Sequence, residues 1–297
     1  MEVLTAERQA FLPKLPDPAV HVLIPSSFSS EAPSLLEQTL RIGNLARALA
    51  TYRVERLVVF HEDPRSPERN ADLIRLIVEY ANTAPYLRRL IYPVTRELRY
   101  AGALQPLNIP THPRSPSIPE GGVELREGLV VRRGEGYYVE AGLRRQLRLR
   151  SPRRPNSRVY LLVRRKKGGL KFRLISRTKS GYFLGTSVEV TPLPLPEVLR
   201  RYQVKIAASR VGDLLTGSWE RLGSLIGSAK GGRVAVAFGS YRRGIWEIAE
   251  VQGFDPGEVF DAVVNFIPEQ GVWTVRTEEA VWAVLTALNF LVSRRSP

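Results

Sequence analysis

The hydrophobic pattern of this chain changes twice, and these changes determine how the chain can be divided. Residues 1–106 and 191–297 alternate short apolar runs with segments whose apolar residues recur every three or four positions. Residues 107–190 contain only short alternating runs, separated by Gly, Pro, Asn and Ser. The first pattern is typical of a mostly parallel sheet flanked by helices, and the second of a small antiparallel barrel. The sequence therefore predicts an α/β domain with an inserted β-barrel, for which an OB-like barrel is the preferred topology.

Strands and helices alternate in the first part of the chain. Short apolar runs predict strands at 19–24 and 56–60, and helical spacing predicts a helix over 33–50. Further helices are predicted around 73–78 and from Pro85 onward. The apolar stripe of the first helix consists of Leu36, Leu40, Gly43, Ala46 and Leu49.

Alternation of strand and helix resumes in the last part. Buried strands are predicted at 204–208, 233–238 and 261–266. A final helix is predicted over 278–292, with Thr277 as its N-cap and two glutamates in its first turn. No convincing internal repeat is visible.

The positive charge is concentrated in the predicted β domain. The chain has a formal net charge of +15, and residues 105–190 hold 19 basic against six acidic residues. Such a segment attracts a polyanion, and nucleic acid is favoured over a membrane because no basic amphipathic helix is visible. The weaker alternative is a solvated charged face whose aromatic residues belong to the core. The RNA-binding candidates in this segment are Tyr137, Tyr138, Arg144, Arg145, Arg148, Arg150, Arg153, Arg154, Arg164, Arg165, Lys166 and Lys167.

Composition excludes several chemistries. The chain has no cysteine, which excludes a thiolate nucleophile and cysteine-ligated metals, and its three scattered histidines make a metal site unexpected. No apolar run reaches the roughly 20 residues that span a bilayer. The first ten residues lack the apolar region of a signal peptide, so we expect a soluble, cytoplasmic protein. One methionine and many arginines suit a thermophile or a GC-rich genome equally.

Three loops follow the late strands, where ligands bind in open parallel sheets. They cover residues 209–213, 239–244 and 267–276, and none contains a P-loop or a GxGxxG motif. A phosphate-anchored nucleotide is therefore disfavoured. Backbone amides and carbonyls near glycine suit an adenine or a polar zwitterion. Each loop alone is better explained as a tight βα connection, but the three together, with unequal lengths and two containing arginine, favour a site.

Four segments resemble the SPOUT-class (trefoil-knot) RNA methyltransferases, specifically the archaeal and eukaryotic group with an OB-like insertion. They are GNLARALATYRVERLVVFHED, YLRRLIYPVTRELRYAGALQPLNIPTHPR, VAFGSYRRGI and VVNFIPEQGVWTVRTEEAVWAVLTALN. The resemblance covers essentially the whole chain, in order, and the last segment is the most specific. It implies a C-terminal trefoil knot, S-adenosylmethionine bound in that knot, and a homodimer.

The resemblance also assigns residues. His112 and Arg114 are similar to a His-x-Arg element that enters the insertion and adds to the RNA-binding candidates. The first loop departs from the family's Gly-Thr-Ser-x-Arg-Gly, because Arg210 is displaced by one position, and Ser240 replaces a common glycine. The implied cofactor-binding residues are Ser209, Arg210, Gly239, Ser240, Gly244, Asn265, Phe266, Ile267, Pro268, Gln270, Gly271 and Thr274.

The expected activity is methylation of RNA. Without cysteine, a ring nitrogen or ribose oxygen remains as the acceptor, and similar proteins favour N3 of uridine in ribosomal RNA. An N3 acceptor must lose a proton, so Arg210 and Arg276 are candidates for stabilising the anion. Glu278 and Glu279 are candidate bases, although acids in a first helical turn usually interact with the helix dipole.

Two other functions remain open. Because Arg210 is displaced from the family's position, the chain is alternatively a non-catalytic RNA-binding or ribosome-assembly protein that retains the fold. A structural dimer that holds an acidic partner protein is the other alternative. Salt-dependent binding of RNA, without binding of acidic protein, separates the RNA-binding functions from this last one.

Overall fold

The computed structural model describes residues 11–65 and 70–293. These residues form two compact units. The larger unit contains Leu15–Glu79, Arg96–Gln105 and the chain from Thr186 onward. The smaller unit contains residues 11–14, Tyr80–Thr95 and Pro106–Gly185.

The secondary structure follows the order that the hydrophobic pattern predicts. The strands are β1 (Ala19–Pro25), β2 (Arg56–Phe60), β3 (Val123–Arg133), β4 (Gly136–Glu140), β5 (Leu147–Arg148), β6 (Arg158–Lys166), β7 (Gly169–Ile175), β8 (Ser187–Thr191), β9 (Val204–Leu214), β10 (Arg233–Phe238) and β11 (Ala262–Asn265). The helices are α1 (Leu35–Thr51), α2 (Asn70–Asn82), α3 (Pro85–Ile91), α4 (Leu195–Leu199), α5 (Leu215–Ser228), α6 (Ile245–Gln252), α7 (Pro256–Val259) and α8 (Thr277–Ser293).

The larger unit is built on a six-stranded parallel sheet. Its strand order is β8-β2-β1-β10-β9-β11, and every neighbouring pair is parallel. On β1, Leu23 packs in a core cluster with residues of α4 and α6, while its neighbours Val22 and Ile24 are equally buried. Burial on both faces is what a parallel sheet flanked by helices requires. The mixed α/β class predicted from the sequence is confirmed.

The strand at the edge of this sheet was assigned wrongly from the sequence. The run that ends at Val190 is predicted as the last strand of the β domain, but β8 pairs with β2 in the parallel sheet. An edge strand is half-buried, so its alternation does not distinguish the two sheets.

Helix α1 forms where it is predicted, and the second half of the predicted stripe, Gly43, Ala46 and Leu49, is buried. The first half of the stripe is wrong, because Leu36 and Leu40 are exposed. Ser34 caps the helix, because its hydroxyl accepts a hydrogen bond from the Glu37 N–H.

Helices α1 and α8 pack against each other through polar contacts. The Trp282 Nε1–H donates to the Asn44 Oδ1 over 3.0 Å, and the hydroxyls of Tyr52 and Thr286 lie 2.6 Å apart. These contacts hold the last helix beside the first, and α8 begins at the predicted site.

The smaller unit contains a five-stranded antiparallel sheet. Its strand order is β5-β4-β3-β6-β7, and no pairing joins β5 to β7 in the part of the chain that the structure describes. One face carries a core in which Val139, Leu161 and Val163 are buried. The predicted β domain is thus observed as an antiparallel sheet with two edges.

Candidate functional site

A cavity of about 340 Å³ opens where residues 208–211, within β9, meet the loops after β10 and β11. It is the kind of volume that holds a small ligand or cofactor. The predicted first, second and third loops therefore converge on one site, at the carboxyl ends of parallel strands.

The first loop is an interruption within a strand pair. β9 pairs with β11 through Ala207 and Val263, and then the register jumps so that Asp213 pairs with Val264. Residues 208–212, between these two pairs, have no partner on β11, and residues 208–211 form one wall of the cavity. A Cβ on Gly212 would lie 2.6 Å from the Val263 carbonyl oxygen, so only glycine fits where this loop returns to the sheet.

The second loop is a tight turn that closes on Ser240. The Ser240 N–H donates to the Arg243 carbonyl, and the Ser240 hydroxyl oxygen accepts from the N–H groups of Arg242 and Arg243. A Cβ on Gly239 would lie 2.7 Å from backbone atoms of Arg243 and Gly244. Serine at position 240 therefore supplies turn contacts that a second glycine could not make.

The third loop is joined to the first by side-chain hydrogen bonds. The Asn265 Nδ2 donates to the Arg210 carbonyl over 2.9 Å, and the Arg210 guanidinium donates to the Trp273 carbonyl over 3.1 Å. The Gln270 Nε2 donates to the carbonyls of Val272 and Trp273. Three polar side chains thus hold the loop in place while Arg210 lies in the wall.

Arg210 carries a charge that no acid balances locally. Within the described residues, no carboxylate lies within ion-pair distance of its guanidinium. A cation in this state attracts an anionic group on a ligand.

Helix α8 is connected to the second loop by Thr277. Its hydroxyl donates to the Gly239 carbonyl over 3.1 Å. The predicted N-cap role for Thr277 is therefore wrong: the helix includes Thr277, and the Glu279 carboxylate accepts a hydrogen bond from the Arg276 N–H over 3.0 Å.

Most of the predicted cofactor-binding residues line this cavity. They are Ser209, Arg210, Gly239, Ser240, Gly244, Asn265, Phe266, Ile267, Gln270 and Thr274. Pro268 does not line it, and Gly271 lines an adjoining cavity. The sequence missed Glu247 and the apolar wall of Ile245 and Val284, which come from the helices α6 and α8.

The other catalytic candidates lie outside the cavity lining. Arg276 and Glu279 stand at the start of α8, where Glu279 takes part in capping. Glu278 is buried, and this burial raises the pKa of its carboxyl.

The smaller unit exposes a basic strip on the β6–β7 hairpin. Arg164 pairs directly with Lys171 across the two strands, and Leu162 pairs with Arg173. Residues opposite each other share a face, so Arg164, Lys166, Lys171 and Arg173 project from one side. The sequence analysis missed Lys171 and Arg173, although the two-residue turn between Lys166 and Gly169 indicates their register.

The remaining RNA-binding candidates of this unit divide by exposure. Tyr137 and Tyr138 are half-buried on β4, and they lie on opposite faces of the strand. The exposed candidates are Arg114, Arg144, Arg145, Arg148, Arg150, Arg153, Arg154, Arg164, Arg165, Lys166 and Lys167.

His112 has an internal hydrogen-bond partner. Its Nε2 lies 3.0 Å from the Asn82 carbonyl oxygen, and burial lowers its pKa to about 4. The ring is therefore neutral at pH 7 and contributes no positive charge to the basic strip.

Within the described residues, 11–65 and 70–293, no group of three or more His, Asp or Glu residues is gathered as metal ligands would be. No helix there is both long and apolar enough to cross a membrane.

Comparisons with known proteins show the family of this chain. The family model described as "Putative RNA methyltransferase" matches residues 19–288. Uncharacterized proteins of Haloarcula marismortui and Halobacterium salinarum are 33% and 34% identical to this chain, and each alignment covers 90% of it and 98% of the relative. A 28S rRNA (uridine-N(3))-methyltransferase of Homo sapiens is 29% identical over 90% of this chain and 77% of its own length. The chain belongs to this family of RNA methyltransferases.

Proposed function

We propose that this protein transfers a methyl group from S-adenosylmethionine to N3 of a uridine in ribosomal RNA. The observation that carries the proposal is the cavity of about 340 Å³, which is lined by residues 208–211 of β9 and by the loops after β10 and β11. The activity named for the human relative supplies the choice of acceptor atom.

The chemistry of the lining suits S-adenosylmethionine. Ile245, Ile267 and Val284 provide an apolar wall for the adenine ring. Arg210 provides a cation for the carboxylate or for a substrate anion, and Glu247 provides an anion for the ammonium group.

The chain's own contribution to methyl transfer is positioning. When bound, the cofactor supplies a methyl group on a positively charged sulfur. Asn265 and Gln270 fix the third loop through hydrogen bonds to backbone carbonyls, so the residues that would hold the cofactor keep their positions. Arg210 would stabilise the negative charge that uracil acquires when N3 gives its proton to water.

We further propose that the smaller unit binds RNA. Its exposed cations supply phosphate contacts. Arg164, Lys166, Lys171 and Arg173 project from the same side of the β6–β7 hairpin, so they can contact one RNA segment together. A directly opposed Arg164–Lys171 pair is unfavourable in isolation, and a phosphate between the two side chains relieves the repulsion.

The finer features of the fold are proposals as well. A trefoil knot is supported by the interruption of β9 and by the bonds that join the first and third loops. The antiparallel sheet supports an OB-like insertion. A homodimer is supported by Leu36, Leu40 and Phe290, which α1 and α8 expose to solvent.

The test combines cofactor binding with methyl transfer. Isothermal titration with S-adenosylmethionine is followed by transfer of its labelled methyl group to ribosomal RNA that lacks the modification, and the labelled nucleoside is identified by mass spectrometry. The variant Gly239→Ala should weaken cofactor binding at least about tenfold, because its Cβ meets backbone atoms at 2.7 Å. Gly217→Ala is the control, because a Cβ there meets nothing within 4 Å.

Each result has a distinct meaning. A label on N3-methyluridine supports the proposal. A label on another atom would show that the protein is a methyltransferase with a different acceptor atom. Cofactor and RNA binding without transfer would support the non-catalytic alternative. RNA binding that does not fall as salt rises would contradict the role of the basic strip.

A further inference from the structure

We propose that Trp273 is the platform on which the target uracil stacks, in a second cavity beside the cofactor cavity. This inference rests on the proposed function and assigns the site of the target base. The second cavity has a volume of about 510 Å³ and is lined by the third loop and Arg210.

Trp273 combines a fixed backbone with an exposed ring. Its carbonyl oxygen accepts hydrogen bonds from Arg210 over 3.1 Å and from Gln270 over 3.2 Å. The residue is nevertheless 93% exposed. A large aromatic side chain on a fixed backbone offers a flat surface for a base at a small cost in conformational entropy.

The two cavities share a wall. Arg210, Asn265, Ile267, Gln270 and Trp273 line both of them. A base held in the second cavity therefore lies beside the cofactor, as transfer of a methyl group between the two requires.

The shared wall also matches the edge of uracil around N3. That edge presents a carbonyl oxygen on each side of N3, and both are acceptors. Arg210 has five N–H groups and the Asn265 amide has two, and the hydrogen bonds that hold the loop use one of each, so donors remain on both side chains. The two N–H groups of Gln270 both donate to loop carbonyls and only hold the loop. The uncompensated charge of Arg210 favours the anionic form of the uracil ring. The indole of Trp273 stacks against the face of the same ring.

A direct test follows the indole N–H of Trp273 by nuclear magnetic resonance. The protein labelled with ¹⁵N is titrated with uridine 5′-monophosphate and, as a control, with ribose 5-phosphate, both with S-adenosylhomocysteine bound. The Trp273 signal is assigned by its loss in Trp273→Phe. We expect uridine 5′-monophosphate to shift this signal and ribose 5-phosphate to leave it unchanged.

A kinetic test uses the same position at saturating cofactor. Trp273→Ala should lower the single-turnover rate of methyl transfer to ribosomal RNA about 10- to 100-fold, and Trp273→Phe should recover most of the rate. Val251→Ala is the control, because Val251 is also an exposed apolar residue of the larger unit but lines neither cavity.

The outcomes separate this inference from the proposed function. An unmoved Trp273 signal, or equal shifts with both ligands, overturns the stacking role whether or not the protein methylates RNA. A signal that depends on protein concentration and not on the nucleotide shows that a second copy covers Trp273, which also overturns it. A shift specific to the nucleotide, in a protein that transfers no methyl group, supports the base site and contradicts the proposed reaction.

Discussion

The hydroxyl of Thr277 donates a hydrogen bond to the carbonyl of Gly239 across 3.1 Å, so the last helix is attached to the second cofactor loop. The sequence analysis predicts Thr277 as a helix N-cap and Gly239 as a cofactor-binding residue, and this contact joins the two.

Loss of the hydrogen bond between Thr277 and Gly239 should lower both the stability of the protein and its affinity for the cofactor. Thr277→Val keeps the shape and removes the donor, which leaves the Gly239 carbonyl without this partner and lowers the free energy of unfolding by about 1 kcal/mol. We expect cofactor affinity to fall about fivefold, as measured by isothermal titration. Thr277→Ser should retain both values, and equal loss in both variants would argue against the hydrogen bond.

Glu279 can be tested as a capping residue and as a base with one pair of variants. Gln accepts the same hydrogen bond from the Arg276 N–H, so Glu279→Gln should keep both stability and methyl transfer. Glu279→Ala should lower the free energy of unfolding by roughly 0.5–1 kcal/mol, measured by urea denaturation. A large loss of transfer in a stable Glu279→Gln protein would restore the carboxylate as the catalytic base.

The basic strip should determine the salt dependence of RNA binding. Replacing Arg164 and Lys171 together by Gln should lower affinity and reduce the slope of log K against log salt by about 1.4, since each phosphate contact to a single strand contributes about 0.7. Lys230→Gln, an exposed lysine of the larger unit, is the matched control for loss of charge. A slope unchanged in the double variant would place the RNA elsewhere.

His112 predicts a loss of stability in acid. Its folded pKa of about 4 is below the unfolded value of about 6.5, so only the unfolded chain binds the proton between these values. The contribution is complete above pH 6.5, and it falls by roughly 3 kcal/mol as the pH is lowered to 4. Urea denaturation at several pH values should show this slope, and His112→Gln should show less of it. An unchanged slope would mean that His112 titrates normally.

The sequence predicted those elements that local pattern determines. Val204–Ala208 and Arg233–Phe238 are strands because they are short apolar runs between turn residues, and burial on both faces selects such runs. The convergence of the three loops also follows from the rule that parallel strands end at one edge.

Other features depend on partners that local pattern does not reveal. The same alternation makes Ser187–Thr191 a strand in either sheet, and only its pairing with β2 assigns it. Leu36 and Leu40 repeat at helical spacing, yet they face outward. Lys171 and Arg173 join the basic strip through the register of the hairpin, which is a property of two strands together.

The parallel sheet also has a consequence for synthesis of the chain. β1 has β2 on one side and β10 on the other, where Ala19 pairs with Arg233. A ribosome adding 5–20 residues per second needs about 10 to 40 s to travel the roughly 200 residues between them. During that interval β1, which is apolar on both faces, has an uncovered edge, while the whole antiparallel sheet has already been translated. A nascent chain stalled before Arg233 should therefore recruit chaperones through its first strands. At that stage the antiparallel sheet can already be structured, whereas the edge of β1 that pairs with β10 is still unpaired.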